Sequence, residues 1–223
     1  MHILITDETT ESSRNVASSF RERGHEVHTC RDGEHPGCAG LRGGRCPLDT
    51  LPIDLVVGTG TNSREHADLR HEGILCGARR RLPIMFVGIP PDDLLPPWVP
   101  LRATRSQKDA VDVAEQVVAS PLPMHSALAT EVLREGLTRD GTTTRGASAE
   151  VHRRDGGLRV DLVVDDSVPL RAREALTVLV HAALREMDPW SSTCDIGIST
   201  APGGPGTGTP RASYRAGAAS GGQ

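Results

Sequence analysis

Aromatic side chains are nearly missing from this chain: 223 residues carry two Phe, two Trp and one Tyr. Any core must therefore be built from Val, Leu, Ile and Ala. Lysine is scarcer still. Lys108 is the sole one, so 24 of the 25 basic residues are arginine. A basic excess is also lacking: the net charge is −4, which argues against an electrostatic binder of duplex DNA. No apolar run reaches membrane-spanning length, and Met1 leads straight into a strand. Neither a membrane anchor nor a signal peptide is expected, and the cytoplasm is the expected compartment. There is no internal repeat. There is no Walker lysine or GxGxxG pattern either, so Thr59-Gly60-Thr61 supports a nucleotide site only weakly.

What the chain does have is a cysteine-rich stretch, residues 30–49. Cys30, Cys38 and Cys46 stand there with seven residues between neighbours, and Cys76 follows later. Cytoplasmic thiols are expected to be reduced, which favours metal ligation over disulfides. Four thiolates complete a zinc site or hold an iron–sulfur cluster. The spacing matches neither a zinc ribbon nor a ferredoxin run. The competing reading is four reduced thiols that simply pack, as buried cysteine often does. Geometry sets Cys30 and Cys76 apart. Cys30 ends a strand, and Cys76 lies late on a helix running back, so the two are expected near opposite sheet edges, about 20 Å apart. His35, His66 or His71 could replace one of them.

The hydropathy pattern gives alternating elements. Strands are expected at His2–Thr6, His25–Cys30, Ile53–Gly58, Leu82–Gly88 and, briefly, Val99–Ala103. Helices are expected from a Thr9 or Thr10 cap to Arg23, from an Asn62 or Ser63 cap to Ala78, and over Gln107–Ala119. This predicts an α/β domain over residues 1–120 with a doubly wound parallel sheet. Pro121–Pro123 reads as a linker. A smaller α+β domain, residues 124–199, follows: a helix over Ser126–Leu137, a hairpin around Asp155-Gly156, a long helix capped by Ser167, and a strand with Cys194, Ile196 and Ile198 inward. Residues 200–223 are Gly, Pro, Ser, Thr and Ala with almost nothing to bury, and are expected to be a disordered tail.

Residues 1–119 resemble the receiver domain of response regulators, a flavodoxin-like fold. ILITDE resembles the first receiver strand with its acidic pair, and GHEVHTCRDGE, IDLVVGTG and LPIMFVG resemble the following segments. The resemblance would put Mg²⁺ on Asp7 and Glu8. The residues alone read as a pair capping the next helix. Thr59 stands where the family has its phosphoacceptor aspartate, Gly88 replaces the hydroxyl residue, and the lysine ending the fifth strand is not found. Phosphoryl transfer needs both acceptor and lysine, so the likeness is to a degenerate pseudo-receiver. Residues 147–199 resemble the alkaline-shock protein family in AEVHRRDGGLRVDLVVDDSVPLRAREALTVLVHAAL and CDIGIS, which implies interaction or scaffolding.

The remaining polar features read as structure. Arg79-Arg80-Arg81 is a solvated helix end. His125, Ser126 and Asp140 have no triad spacing. The expectation is a non-catalytic regulatory or adaptor protein. It would be a pseudo-response-regulator with an iron–sulfur or zinc site on Cys30, Cys38, Cys46 and Cys76, sensing redox or metal. A protein partner or self-association is expected, with no nucleic acid and no membrane. A phosphorelay component and a ligand-free scaffold are the alternatives.

Overall fold

The computed structural model describes residues 1–6, 10–30, 43–59, 67–88, 101–200 and 213–214, with backbone alone for 67–71, 101 and 213–214. Two compact units form, Met1–Ser120 with Arg154–Gly156, and Pro121–Arg153 with Gly157–Gln223.

The first unit runs β1 (His2–Ile5), α1 (Glu11–Glu22), β2 (Glu26–Thr29), α2 (Pro47–Thr50), β3 (Leu55–Thr59), α3 (Ala67–Arg79), β4 (Ile84–Val87), β5 (Leu101–Thr104) and α4 (Ala110–Ala119). Its five strands are all parallel, in the order β2-β1-β3-β4-β5. Apolar clusters cover both faces. Ile3, Ile5, Leu55 and Val57 meet Val16 and Phe20 of α1 and Val111 and Ala114 of α4. Leu4, Val56, Ile84 and Phe86 meet Leu48 of α2 and Ile74 and Ala78 of α3. Fully burying one such side chain stabilises by about 1.5–3 kcal/mol, so aliphatic residues supply most of this core, with Phe20 and Phe86 as its two aromatic members.

Local signals act as the chain suggests. Thr10 caps α1, and Ser13 returns the bond to the Thr10 backbone N–H. Gly24 follows the helix at φ +84°, a conformation glycine adopts without strain, and its N–H donates to Arg21 O. The expected Asn62 or Ser63 cap, like Thr9, lies outside the described residues.

The second unit runs α5 (Pro123–Arg139), β6 (Ser148–Arg154), β7 (Gly157–Val164), α6 (Leu170–Met187), β8 (Cys194–Thr200) and β9 (Ser213–Tyr214), with strand order β6-β7-β8-β9. β8 lies parallel to β7 and β9 antiparallel to β8. β9 was not foreseen among the Gly, Ser and Ala of the tail. Asp155 and Gly156 both have positive φ, as a two-residue hairpin turn requires. Helices α5 and α6 cover one face through Leu133, Leu137, Leu176, Val180 and Leu184.

Two local expectations are corrected. Pro121–Pro123 is not a bare linker: Leu122 is buried, and its N–H donates to Val151 O at 2.6 Å. Ser167 does not cap α6. The N-cap is Pro169, in extended backbone, and the Ser167 hydroxyl is taken by Asp165 Oδ1 at 2.6 Å.

Helix α5 also protects a sheet edge. Ser126, Thr130 and Arg134, four residues apart, lie on one side of the helix. Ser126 Oγ accepts from Val151 N, Thr130 Oγ1 accepts from Ala149 N, and Arg134 Nε donates to Ala147 O, each at 3.0 Å. Edge strand β6 is thereby closed to further pairing.

Candidate functional site

The α3 side of the first sheet collects the chemistry-bearing residues. In a strand, alternate residues share a face, and register partners on neighbouring strands share it too. Leu4 of β1 points to the α3 side. His28 pairs with Leu4, and Glu26 with His2. His2, Glu26, His28 and, two residues on, Cys30 therefore belong to one face.

Cys30 is buried there, in the cluster with Leu48, Val56 and Ile74, and Cys46 and Cys76 are half-buried against the same cluster. All three are thiols and none is in a disulfide. The expected separation of Cys30 from Cys76 is corrected. Gly73 of α3 lets the end of β2 approach so closely that a Cβ on it would stand 3.0 Å from Cys30 Sγ and 2.8 Å from Thr6 Cγ2. Cys76 is one helical turn further, about 4.5 Å of rise. The strands are only four or five residues long, so mid-helix is already near their carboxyl ends. The three thiols still do not make a ready ligand set. Among the described residues, the group of three whose ligand atoms lie within 4.8 Å of one another is His2, Glu26 and His28. Cys38 and His35 lie outside the described residues, as do the side chains of His66 and His71.

The His2 imidazole is the centre of that group. Its Nδ1 lies 3.3 Å from His28 Nε2 and 3.4 Å from Glu26 Oε2. The two rings are parallel within 7°, with centroids 5.6 Å apart. Burial, then the neighbouring His2 charge, lowers the His28 pKa from its ordinary value, while Glu26 pulls it upward. The shift favours the neutral ring, which has a lone pair to offer. Buried Asp54 fixes the backbone of His2 on both sides: His2 N donates to Asp54 Oδ2 at 2.9 Å, and Asp54 N donates to His2 O at 2.8 Å. This group was missed in the sequence. The readable signal was Glu26-x-His28-x-Cys30, alternate residues on a short strand.

The positions compared above with a receiver's lie as follows. Thr59 ends β3 and is buried, Gly88 follows β4 at φ +110°, and Thr104 ends β5. The hydroxyls of Thr6 and Thr59 are buried without a hydrogen-bond partner among the described residues. Asp7 and Glu8 lie outside them. Arg80, from the basic run, pairs with Asp49 and so ties α3 to α2.

In the second unit, Asp188 and Arg153 form an ion pair of 2.5 Å, with His125 Nε2 3.4 Å from the same carboxylate. All three residues are buried. Burial pushes the Asp188 carboxyl up, but the His125 imidazole and the Arg153 guanidinium outweigh it and hold it below the usual carboxylate range. The buried Ser191 hydroxyl donates to the Asp188 backbone carbonyl at 3.0 Å, away from the carboxylate. Asp140 belongs to the far end of α5 as its C-cap. Cys194 is buried core, as expected. An open groove of about 910 Å³ along α5 is lined by Ser126, Thr130 and Arg134, which are already engaged with the β6 edge.

No family model and no curated protein matches the sequence. Among solved structures, a yeast Spc42 trimeric coiled-coil segment fused to another protein is similar over 56% of this chain and 78% of that one, at 12% identity and TM-score 0.33. A GCN5-related glucosamine N-acetyltransferase region of a fungal multi-domain β-N-acetylglucosaminidase is similar over 90% of this chain and 30% of that one, at 14% identity and TM-score 0.23. Neither likeness carries an argument about fold or function.

Proposed function

We propose that the chain is a non-catalytic regulatory or adaptor protein, a pseudo-response-regulator whose thiols answer to redox state or metal. The observation that carries this reading is that Cys30, Cys46 and Cys76 border one apolar cluster on the α3 face. Cys38, midway between Cys30 and Cys46 in sequence, is the fourth thiol of a zinc or iron–sulfur site that closes when the ion binds. Binding free energy of such a site goes directly into ordering the surrounding chain. The strand order β2-β1-β3-β4-β5 supports a flavodoxin-like, receiver-like sheet. Thr59 at the end of β3 and Thr104 at the end of β5 support the pseudo-receiver form, since neither can take or balance a phosphoryl group as Asp and Lys do. The α5-β6-β7-α6-β8 order supports an alkaline-shock-like second unit, whose role is a protein partner or self-association in the cytoplasm.

Anaerobic purification tests the reading through metal content and an absorption spectrum. The expected result is about one zinc per chain or iron–sulfur colour, lost in Cys38→Ser and Cys46→Ser and kept in Cys194→Ser. Metal retained in both of the first two variants, or none in the parent, overturns the metal site. Stable labelling by acetyl phosphate with Mg²⁺ would return the chain to the phosphorelay class.

A further inference from the structure

We propose a second metal site, made of His2, Glu26 and His28, that binds a borderline divalent ion of the Zn²⁺ class on the exposed edge of the first sheet. It uses none of the cysteines and so stands apart from the thiol reading above.

The donor set comes first. Two imidazole nitrogens and one carboxylate suit zinc, copper or nickel better than the hard ions magnesium and calcium, which prefer oxygen alone. The spacing agrees. A tetrahedral ion with bonds of about 2.0–2.1 Å sets its ligand atoms about 3.3–3.4 Å apart. His2 Nδ1 stands 3.3 Å from His28 Nε2 and 3.4 Å from Glu26 Oε2. These distances would also suit plain hydrogen bonding, in which a single proton on His2 Nδ1 is shared between His28 Nε2 and Glu26 Oε2. For an ion to enter, that proton leaves and the two rings turn so that both lone pairs face it.

The backbone holds the donors in place. His2 is clamped by Asp54 at both its N–H and its C=O. Glu26 and His28 are fixed opposite β1 by the parallel register His2↔Glu26 and Leu4↔His28. Preorganised ligands of this kind lower the cost of binding. β2 is the edge strand of its sheet, and the Glu26 side chain is 68% exposed, so the site is reached from solvent. Three protein ligands leave a fourth position for water or an outside donor, as open zinc sites do.

Co²⁺ replaces Zn²⁺ as the probe, because its spectrum reports the ligands. The full chain, stripped of metal, is titrated with Co²⁺ alone. In a Cys30→Ser, Cys38→Ser, Cys46→Ser, Cys76→Ser background, which lacks the thiol site proposed above, we expect one ion per chain, a visible band of tetrahedral intensity, and no near-ultraviolet thiolate charge-transfer band. His2→Gln and His28→Gln should each weaken binding by about tenfold or more, on the scale of lost metal-site partners. Glu26→Gln should weaken it less, since its carboxylate is the most exposed donor. The parent chain should bind this ion too, and any thiolate band it adds reports the cysteine site separately. Unchanged binding in the two histidine variants overturns the site, and so does the absence of a tetrahedral ion in the background lacking the four cysteines. Because substitutions in β1 or β2 could loosen the sheet edge, the parent is also titrated with Zn²⁺ while its nine histidines are followed by NMR. Shifts confined to His2 and His28 support the site, and shifts elsewhere or none refute it.

Discussion

Strand β3 of the first unit is buried at all five positions, whereas β7 of the second alternates buried and half-buried residues from Leu158 to Val164. The cause is the number of covered faces. Helices lie on both faces of the parallel sheet, so its central strands have no side on which a polar residue meets water. Helices lie on one face of the second sheet, and Arg159, Asp161 and Asp195 occupy the other. The consequence for chemistry is opposite in the two units. In the first, polar and thiol side chains are pushed to strand ends and to edge strand β2. In the second, the alternation carries a charge inward, because Arg153 follows Ala149 and Val151 on the buried face and needs Asp188 to meet it there.

The sharpest way to test that contrast is to break the buried pair. Asp188→Ala leaves the Arg153 guanidinium in the core with its carboxylate gone, which typically costs about 3–5 kcal/mol. Amide exchange should show protection lost in β7 and kept in β3. Replacing both partners together, Arg153→Met with Asp188→Leu, should recover most of the loss, since a well-packed apolar pair often matches a buried ion pair. An Asp188→Ala variant less than about 1 kcal/mol weaker than the parent would mean that the pair is hydrated and the contrast between the units overstated.

A smaller effect is expected where β2 meets α3. A methyl group at Gly73 would press on Thr6 and Cys30. Overpacking of this kind costs about 1–3 kcal/mol, and the better helix propensity of alanine returns somewhat under 1 kcal/mol. Gly73→Ala should therefore destabilise the first unit by about 1–2 kcal/mol in denaturant titration. Cys30→Ala removes the sulfur and should relieve part of that strain. If the two changes simply add, within about 0.5 kcal/mol, Cys30 does not touch α3, and the grouping of the thiols on one face fails with it.

The fold was more legible than the site. Short aliphatic runs bounded by Gly and Pro placed every strand of the first sheet within a few residues, because burial on both faces leaves only apolar choices. The Asp155-Gly156 turn and the Thr10 cap were readable because each depends on its own few residues. The site was not, because it depends on register. Nothing local to His2 says that Glu26 lies opposite it, or that His28 lies one step along the same face. The Cys30–Cys76 separation was misjudged because it assumed a six-residue strand and an ordinary helix, whereas the strands are shorter and Gly73 removes a side chain at the contact. Arg153 was passed over for a related reason. Its inward place follows from counting by twos along β6, but its partner Asp188 lies 35 residues away.

The last contrast concerns the thiols themselves, and it separates the units by reactivity and, at alkaline pH alone, by stability. Burial pushes the Cys194 thiol up to about 11 from 9.0, with Arg185 opposing and Asp195 and Asp188 adding to the rise. The reactive form is the thiolate. A pKa higher by two units leaves about a hundredth of the thiolate at any pH below 9, so alkylation of Cys194 should run about a hundredfold slower than in the unfolded chain. The sign of the linked stability follows. Between 9.0 and about 11 the unfolded chain releases a proton that the folded chain keeps, so the stability Cys194 contributes is full below 9.0 and is lost as pH rises through that window. Mass spectrometry of metal-free protein after brief iodoacetamide treatment at pH 8 should find Cys194 unmodified, while half-buried Cys46 and Cys76 are labelled. Cys194→Ala should also flatten the alkaline fall in stability between pH 9 and 11. Labelling of Cys194 at the rate of Cys46 would place it outside the second core and remove its role as the inward residue that begins β8.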